Sequence, residues 1–239
     1  CVNFLMKTNI VQIYILTAFV KISQNSKIGI GYILQTYHFS IEQIRNNDIT
    51  QDSKSCLDCP LSYNKNNGKS GGCYTHKGTQ LMGLKSMIRS LNKKIDSIKE
   101  FSQPEFMFFI NNVKNTHSID LVRFGAYGEP ILLSLYVTGV LSSLSKKTTG
   151  YTHQWNKPKY NEYNKFFMAS THTDAERIDS RAKGFRSFFV ASKEFNLTVT
   201  NAVNCPASKE SSKNLTCIAC GLCNGSKTNI KKDIYIMKH

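Results

Sequence analysis

The 239 residues are 41% apolar and carry 31 basic against 16 acidic side chains, a formal charge of +15. That apolar content is enough for one sizeable core, so residues 1–239 read as a single α/β domain. Of the basic residues 25 are lysines, spread along the whole chain, which argues for weak general affinity for polyanions and against reading a dedicated nucleic-acid groove from charge alone. The chain opens on Cys1 rather than Met, so a fragment or a partial reading frame is expected, and Cys1 is given no role.

The first apolar run, residues 10–20, is too short for the ~20 residues of a spanning helix and is broken by Gln12. No membrane partner is expected. Its β-branched and aromatic content predicts a strand, and a second strand is expected over residues 30–39 after the turn-prone Gln24-Asn25-Ser26. Leu81, Leu84, Met87, Ile88, Leu91 and Ile95 recur at helical spacing, so residues 80–99 read as an amphipathic helix. Residues 106–110 form a short apolar run. Beyond it the predicted order is strand 119–124, helix 131–144 with Pro130 in its first turn, strand 151–155, a short helix or turn at 159–165 and strand 166–170. Helix 173–183 follows, with Thr173 as N-cap and Gly184 as C-cap, and then strand 185–191. Alternation of this kind predicts a parallel sheet.

In parallel sheets, chemistry collects at the C-terminal ends of the strands. Glu129, His153, Gln154, Ser170, His172, Ser192 and the Cys205 loop are expected at such ends, with His153 and Ser170 as candidate catalytic residues.

Seven of the eight cysteines fall into two groups. Cys56, Cys59 and Cys73, on the loop 56–73, are spaced C-x2-C-x13-C; Cys205, Cys217, Cys220 and Cys223, on the loop 205–223, are spaced CP-x10-C-x2-C-x2-C. Thiols at these spacings hold metal ions or clusters, and the clustering differs from a disulfide framework, so a reducing, cytoplasmic compartment is expected. The sequons at Asn196 and Asn214 are then chance matches. Three cysteines in one run with a remote Cys-Pro favour a four-iron–four-sulfur cluster at the second group, with zinc as the alternative. The first group has three thiols. Either one position stays open, as in a reactive centre, or His76 or a cysteine of the second group closes it as structural zinc.

Gly-Ala-Tyr-Gly-Glu-Pro at 125–130, Gly-Tyr-Thr-His-Gln-Trp at 150–155, Met-Ala-Ser at 168–170 and the terminal cysteine motif resemble a family of cysteine-rich bacteriophage and prophage proteins. That resemblance carries over no activity; it implies the host-cell cytoplasm as compartment. The order of elements is more distantly similar to that of radical S-adenosylmethionine (SAM) enzymes, which implies a full or partial parallel βα barrel. On that resemblance Cys56, Cys59 and Cys73 stand for the cluster loop, and Gly128, Glu129 and Pro130 for the turn that holds SAM. The cysteine spacing departs from that family's C-x3-C-x2-C. The expected function is therefore a phage-type iron–sulfur protein, a radical-SAM-like redox enzyme of unidentified substrate. The alternative is a zinc-stabilised nucleic-acid-binding protein associated with phage DNA replication.

Overall fold

A computed structural model of the chain describes residues 2–6, 14–98, 101–191, 201–226 and 232–237. The protein is α/β, with helices packed on largely parallel sheets. Strands β1 (Val2–Met6), β2 (Tyr14–Ser23), β3 (Gly31–Ser40), β4 (Leu121–Tyr127) and β5 (Thr148–Thr149) form one sheet in that order. The β1–β2 and β2–β3 pairings are antiparallel, whereas β3–β4 and β4–β5 are parallel. A second sheet joins β6 (Tyr151–Thr152), β7 (Met168–Thr171), β8 (Ser187–Ala191), β10 (Asp233–Met237) and β9 (Ala202–Asn204), with every pairing parallel.

Only Gly150 separates β5 from β6, so the chain leaves one sheet and enters the other within five residues. A β-carbon at Gly150 would lie 2.6 Å from Phe167, which is why this crossing takes no larger residue. Among the described residues the strands form these two sheets and no closed barrel.

The core follows from strand alternation. Leu34, Val122 and Phe124 point to one face and pack with Phe106, Ile110 and Val113 of helix α4 (Gln103–Thr116) and with Val137 and Leu141 of helix α5 (Leu135–Ser142). Over the ends of β3 and β4, Phe39 and Tyr127 pack with Leu84, Ile88 and Leu91 of helix α3 (Gly78–Asn92). No described helix is long and apolar enough to cross a membrane.

Several boundaries differ from the sequence expectation for local reasons. Residues 10–13 of the first expected strand lie outside the described residues, and the strand runs on to Ser23. Helix 80–99 ends at Asn92, whose side-chain amide turns to the carbonyls of Ile44 and Arg45; a single 3-10 turn follows at Ile95–Ser97. The apolar run 106–110 sits inside α4, which starts at a capping box between Ser102 and Glu105. The helix expected over 131–144 divides into a 3-10 turn at Pro130–Leu132 and α5, because Ser134 caps a new start. The strand expected at 151–155 stops at Thr152, since the next two amides turn away to Glu129 and Thr152. Residues 158–165 are 3-10 helix, and the next two strands start two residues later than expected, as β7 and β8. Helix α6 (Asp174–Ala182) has Thr173 as its N-cap, with Gly184 at φ +82° one residue beyond its C-cap Lys183.

Candidate functional site

The first cysteine group hangs from the end of β3. After β3 and helix α1 (Ile41–Arg45), whose cap is Ser40, the chain reaches Asp52, a fully buried carboxylate. It accepts from the backbone N–H groups of Tyr63 at 2.7 Å and Asn64 at 2.8 Å, while its carbonyl accepts from Cys56 N at 2.7 Å. One residue thus holds both arms of the loop. Helix α2 (Ser53–Cys56) delivers Cys56, and Cys59 N donates to the Cys56 carbonyl at 3.0 Å. Between them Leu57 is at φ +51°, a left-handed conformation that costs a branched side chain energy. Cys73 lies 3.1 Å from the Thr75 hydroxyl. Burial, then the neighbouring Asp52 and Cys59, push the Cys56 thiol well above its ordinary range; burial also raises Cys73 and Asp52.

The end of β4 locks onto this loop. Gly128 sits at φ +77°, and a β-carbon there would lie 2.7 Å from the His38 carbonyl and 3.0 Å from that of Ser55, so the turn needs glycine. Next, Glu129 N donates to the Ser55 carbonyl at 2.7 Å. The Glu129 carboxylate is buried and accepts from the Thr152 hydroxyl at 2.7 Å and from His153 N at 3.0 Å, with His153 Nδ1 at 3.3 Å. Burial works to lower the His153 pKa, but Cys59 and Glu129 on either side raise it to about 10. His153 thus has its Nδ1 on the Glu129 carboxylate, while its Nε2 has no hydrogen-bond partner among the described residues. His153 stacks on His172, just past β7, with ring centroids 5.3 Å apart; burial and then His153 lower the His172 pKa. Lys157 and Lys65 both pair with Asp58, tying the segment after β6 to the cysteine loop.

Cys56, Cys59, Gly128, Glu129, Pro130 and His153 thus meet at neighbouring strand ends. Ser170 is half-buried on β7, and its carbonyl accepts from Trp155 Nε1 at 3.2 Å. Gln154 is buried beside Thr152, and Ser192 lies outside the described residues. His76 is stacked 3.9 Å from the Tyr63 ring; burial lowers its pKa to about 4, and neither ring nitrogen has a hydrogen-bond partner among the described residues.

The second cysteine group occupies the opposite ends of the strands. Cys217 N and Ile218 N donate to the carbonyls of Lys27 and Ile28, just before β3, each at 2.9 Å. The Lys147 ammonium, just before β5, donates to the carbonyls of Ile218 and Ala219 at the end of helix α7 (Cys217–Cys220). Arg186, buried just before β8, donates to the carbonyls of Leu222 and Gly225 at 2.8 Å and of Lys232 at 2.9 Å. Cys205, Cys217 and Cys223 pack with Met168 and Ile234 at the starts of β7 and β10. Cys205 itself stands at the C-terminal end of β9, its N–H donating to the Tyr235 carbonyl at 2.8 Å, as the sequence predicts, while Cys217 and Ile218 of the same loop reach the start of β3. Burial raises all of Cys217, Cys220 and Cys223, the last to about 12, while Lys27 and Arg123 at Cys217, and Lys147 and Lys213 at Cys220, oppose the rise.

As they stand, no three or more Cys, His, Asp or Glu side chains among the described residues form a group that could hold a metal ion. All seven cysteines are free thiols. An open cleft lined by Glu42, Lys54, Tyr63 and Asn64 borders the loop, and none of the cysteines lines it. The sequence reading missed Asp52, Thr152 and Arg186: no motif marks them, and only their burial beside backbone amides and carbonyls gives them a role. Compared with known proteins, the chain matches no family model, no curated protein and no solved structure.

Proposed function

We propose that the chain is a phage-type metal-cluster redox protein whose reactive centre is the first cysteine loop, on a partial barrel similar in plan to radical SAM enzymes. One observation carries the reading: the hydrogen bond from Glu129 N to the Ser55 carbonyl. It joins the residue before Cys56 to the Gly-Glu-Pro turn across more than seventy residues of sequence. The loop follows β3 and the turn follows β4, its parallel neighbour, which is the order that the resemblance implies.

The donor set suits the group. Cys56, Cys59 and Cys73 are thiols of one loop, and Cys59 is near enough to raise the cost of ionising Cys56. Binding would draw them together, the usual coupling of thiolate–metal binding to local folding. These three would hold an iron–sulfur cluster, and Gly128, Glu129 and Pro130 would hold SAM beside it. When bound, the cluster supplies an electron to the cofactor. His153 would keep its proton between Cys59 and Glu129, and with Ser170 would face the substrate. Cys205, Cys217, Cys220 and Cys223 would hold a second, fully ligated cluster that fastens the C-terminal segment beneath the sheet.

Anaerobic purification with visible absorption, iron, sulfide and zinc analysis tests this, with Cys56→Ala and Cys220→Ala alongside. A broad band near roughly 400 nm and partial iron loss in each variant are expected. A colourless protein with stoichiometric zinc would sink the redox reading in favour of a zinc-stabilised nucleic-acid-binding protein of phage DNA replication.

A further inference from the structure

The face of the parallel sheet opposite helices α4 and α5 carries a cation, Arg123, on the middle of β4. On adjacent strands Gln35, Arg123 and Thr149 are in register. Arg123 is part-buried, and its Nη2 donates to the Tyr74 hydroxyl at 2.6 Å while its guanidinium lies 5.8 Å from that ring's centre. Tyr74 follows Cys73 directly, so the first cysteine loop reaches down onto Arg123 from the strand ends.

The Tyr37 and Tyr151 hydroxyls are within electrostatic reach of the same guanidinium. Tyr37 donates to Gln35 Oε1 at 2.9 Å and Tyr151 accepts from the Thr149 hydroxyl at 3.2 Å, so both hydroxyls are held in place. Lys21 lies near enough to be pushed down by Arg123, in addition to its own burial. Among the described residues no carboxylate forms an ion pair with Arg123. A planar five-donor group with one ring-borne acceptor, a second cation nearby and solvent access past half-exposed Tyr74 suits an incoming oxyanion, which it can grip with two parallel N–H donors.

We propose that this face binds an anionic group, a carboxylate or a phosphate, with Arg123 as its anchor and the Tyr74 hydroxyl as its positioning partner. The inference does not depend on any metal in either cysteine group. It gives the protein an acidic small molecule as ligand, lying between the first cysteine loop and Cys217.

Calorimetric titration of the purified full chain at fixed ionic strength tests it, using inorganic phosphate in one arm and acetate in the other. The chain's general positive charge is controlled by Arg89→Gln, which alters an exposed arginine on α3. Saturable binding of at least one anion is expected, unchanged in Arg89→Gln and weakened about tenfold or more in Arg123→Gln. The anion that binds more tightly names the ligand class. Tyr74→Phe, which keeps the ring and removes the hydroxyl, is expected to weaken binding several-fold and tests the site even if Arg123→Gln does not fold. The proposal is overturned if neither anion saturates the wild type, or if the arginine variants lose affinity equally. It is also overturned if Arg123→Gln loses metal while binding anions as before, since Arg123 would then serve Cys217.

Discussion

The two cysteine groups of this chain sit at opposite ends of the same strands and in opposite electrostatic surroundings. Cys56 lies among carboxylates, Asp52 and Glu129, and the nearby cation is His153, which Cys59 and Glu129 help to keep protonated. Cys217, Cys220 and Cys223 lie among Lys27, Arg123, Lys147, Lys213 and Arg186. Cations beside thiols ease their ionisation and carboxylates oppose it. At the strand-start group the cations thus offset part of the burial that raises Cys217 and Cys220. The strand-end group is arranged so that charge there is costly until something arrives to offset it. Parallel α/β proteins divide stability and chemistry between their two ends in the same sense.

The sharpest way to break this division is at Arg186. Its three bonds to backbone carbonyls hold the strand-start segment, and Arg186→Ala is expected to lower unfolding stability by roughly 3–5 kcal/mol, the scale for a buried charged donor removed from its partners. Denaturant unfolding measures the loss; hydrogen exchange should place it at residues 217–226 rather than at 52–63. Glu129→Ala acts at the other end, leaving the Thr152 hydroxyl and His153 N–H without their acceptor, at a cost of roughly 2–4 kcal/mol. If amide exchange then rose equally in both cysteine segments, the two ends would not be independent.

Acid gives a third probe of the strand-end region. His38, fully buried on β3 beneath Gly128, has its pKa lowered to about 3 by burial. The unfolded chain binds this proton near pH 6.5 and the folded chain does not, so the stability is complete above that pH and is lost as pH falls toward 3. Between pH 6.5 and 4.5 the loss is expected to be roughly 2–3 kcal/mol. Urea midpoints across that range should fall less steeply in His38→Gln than in the wild type. The smallest effect expected is at Lys147, half-buried under α7. Lys147→Met should cost about 1 kcal/mol and raise exchange only in residues 217–221; no change there would remove Lys147 from the strand-start set.

Much of the fold could be read from local pattern. Thr173 before Asp-Ala-Glu capped its helix as expected, and the strands at β3, β4, β7 and β8 lie within a few residues of their apolar runs. Helix α4 was missed because its apolar run is short, and its start depends on a reciprocal cap between Ser102 and Glu105. The strand expected at Tyr151–Trp155 was read too long because its residues are good strand formers, whereas Glu129, more than twenty residues earlier, draws the His153 amide out of line.

By itself the sequence determined which chemistry the chain can offer: two sets of thiols, a glycine-led turn before Glu129 and Pro130, and strand-ending histidines. Residue type and spacing are local properties, and they survive without a fold. Only the tertiary structure decided that Ser55 and Glu129 share a hydrogen bond, that His153 faces Cys59, and that the two cysteine groups are held apart. Those relations come from the parallel pairing of β3 with β4 and of β6 with β7, and from the C-terminal segment passing beneath the strand starts. Such contacts span tens to hundreds of residues, and no local propensity encodes which partner a buried carboxylate or amide will find.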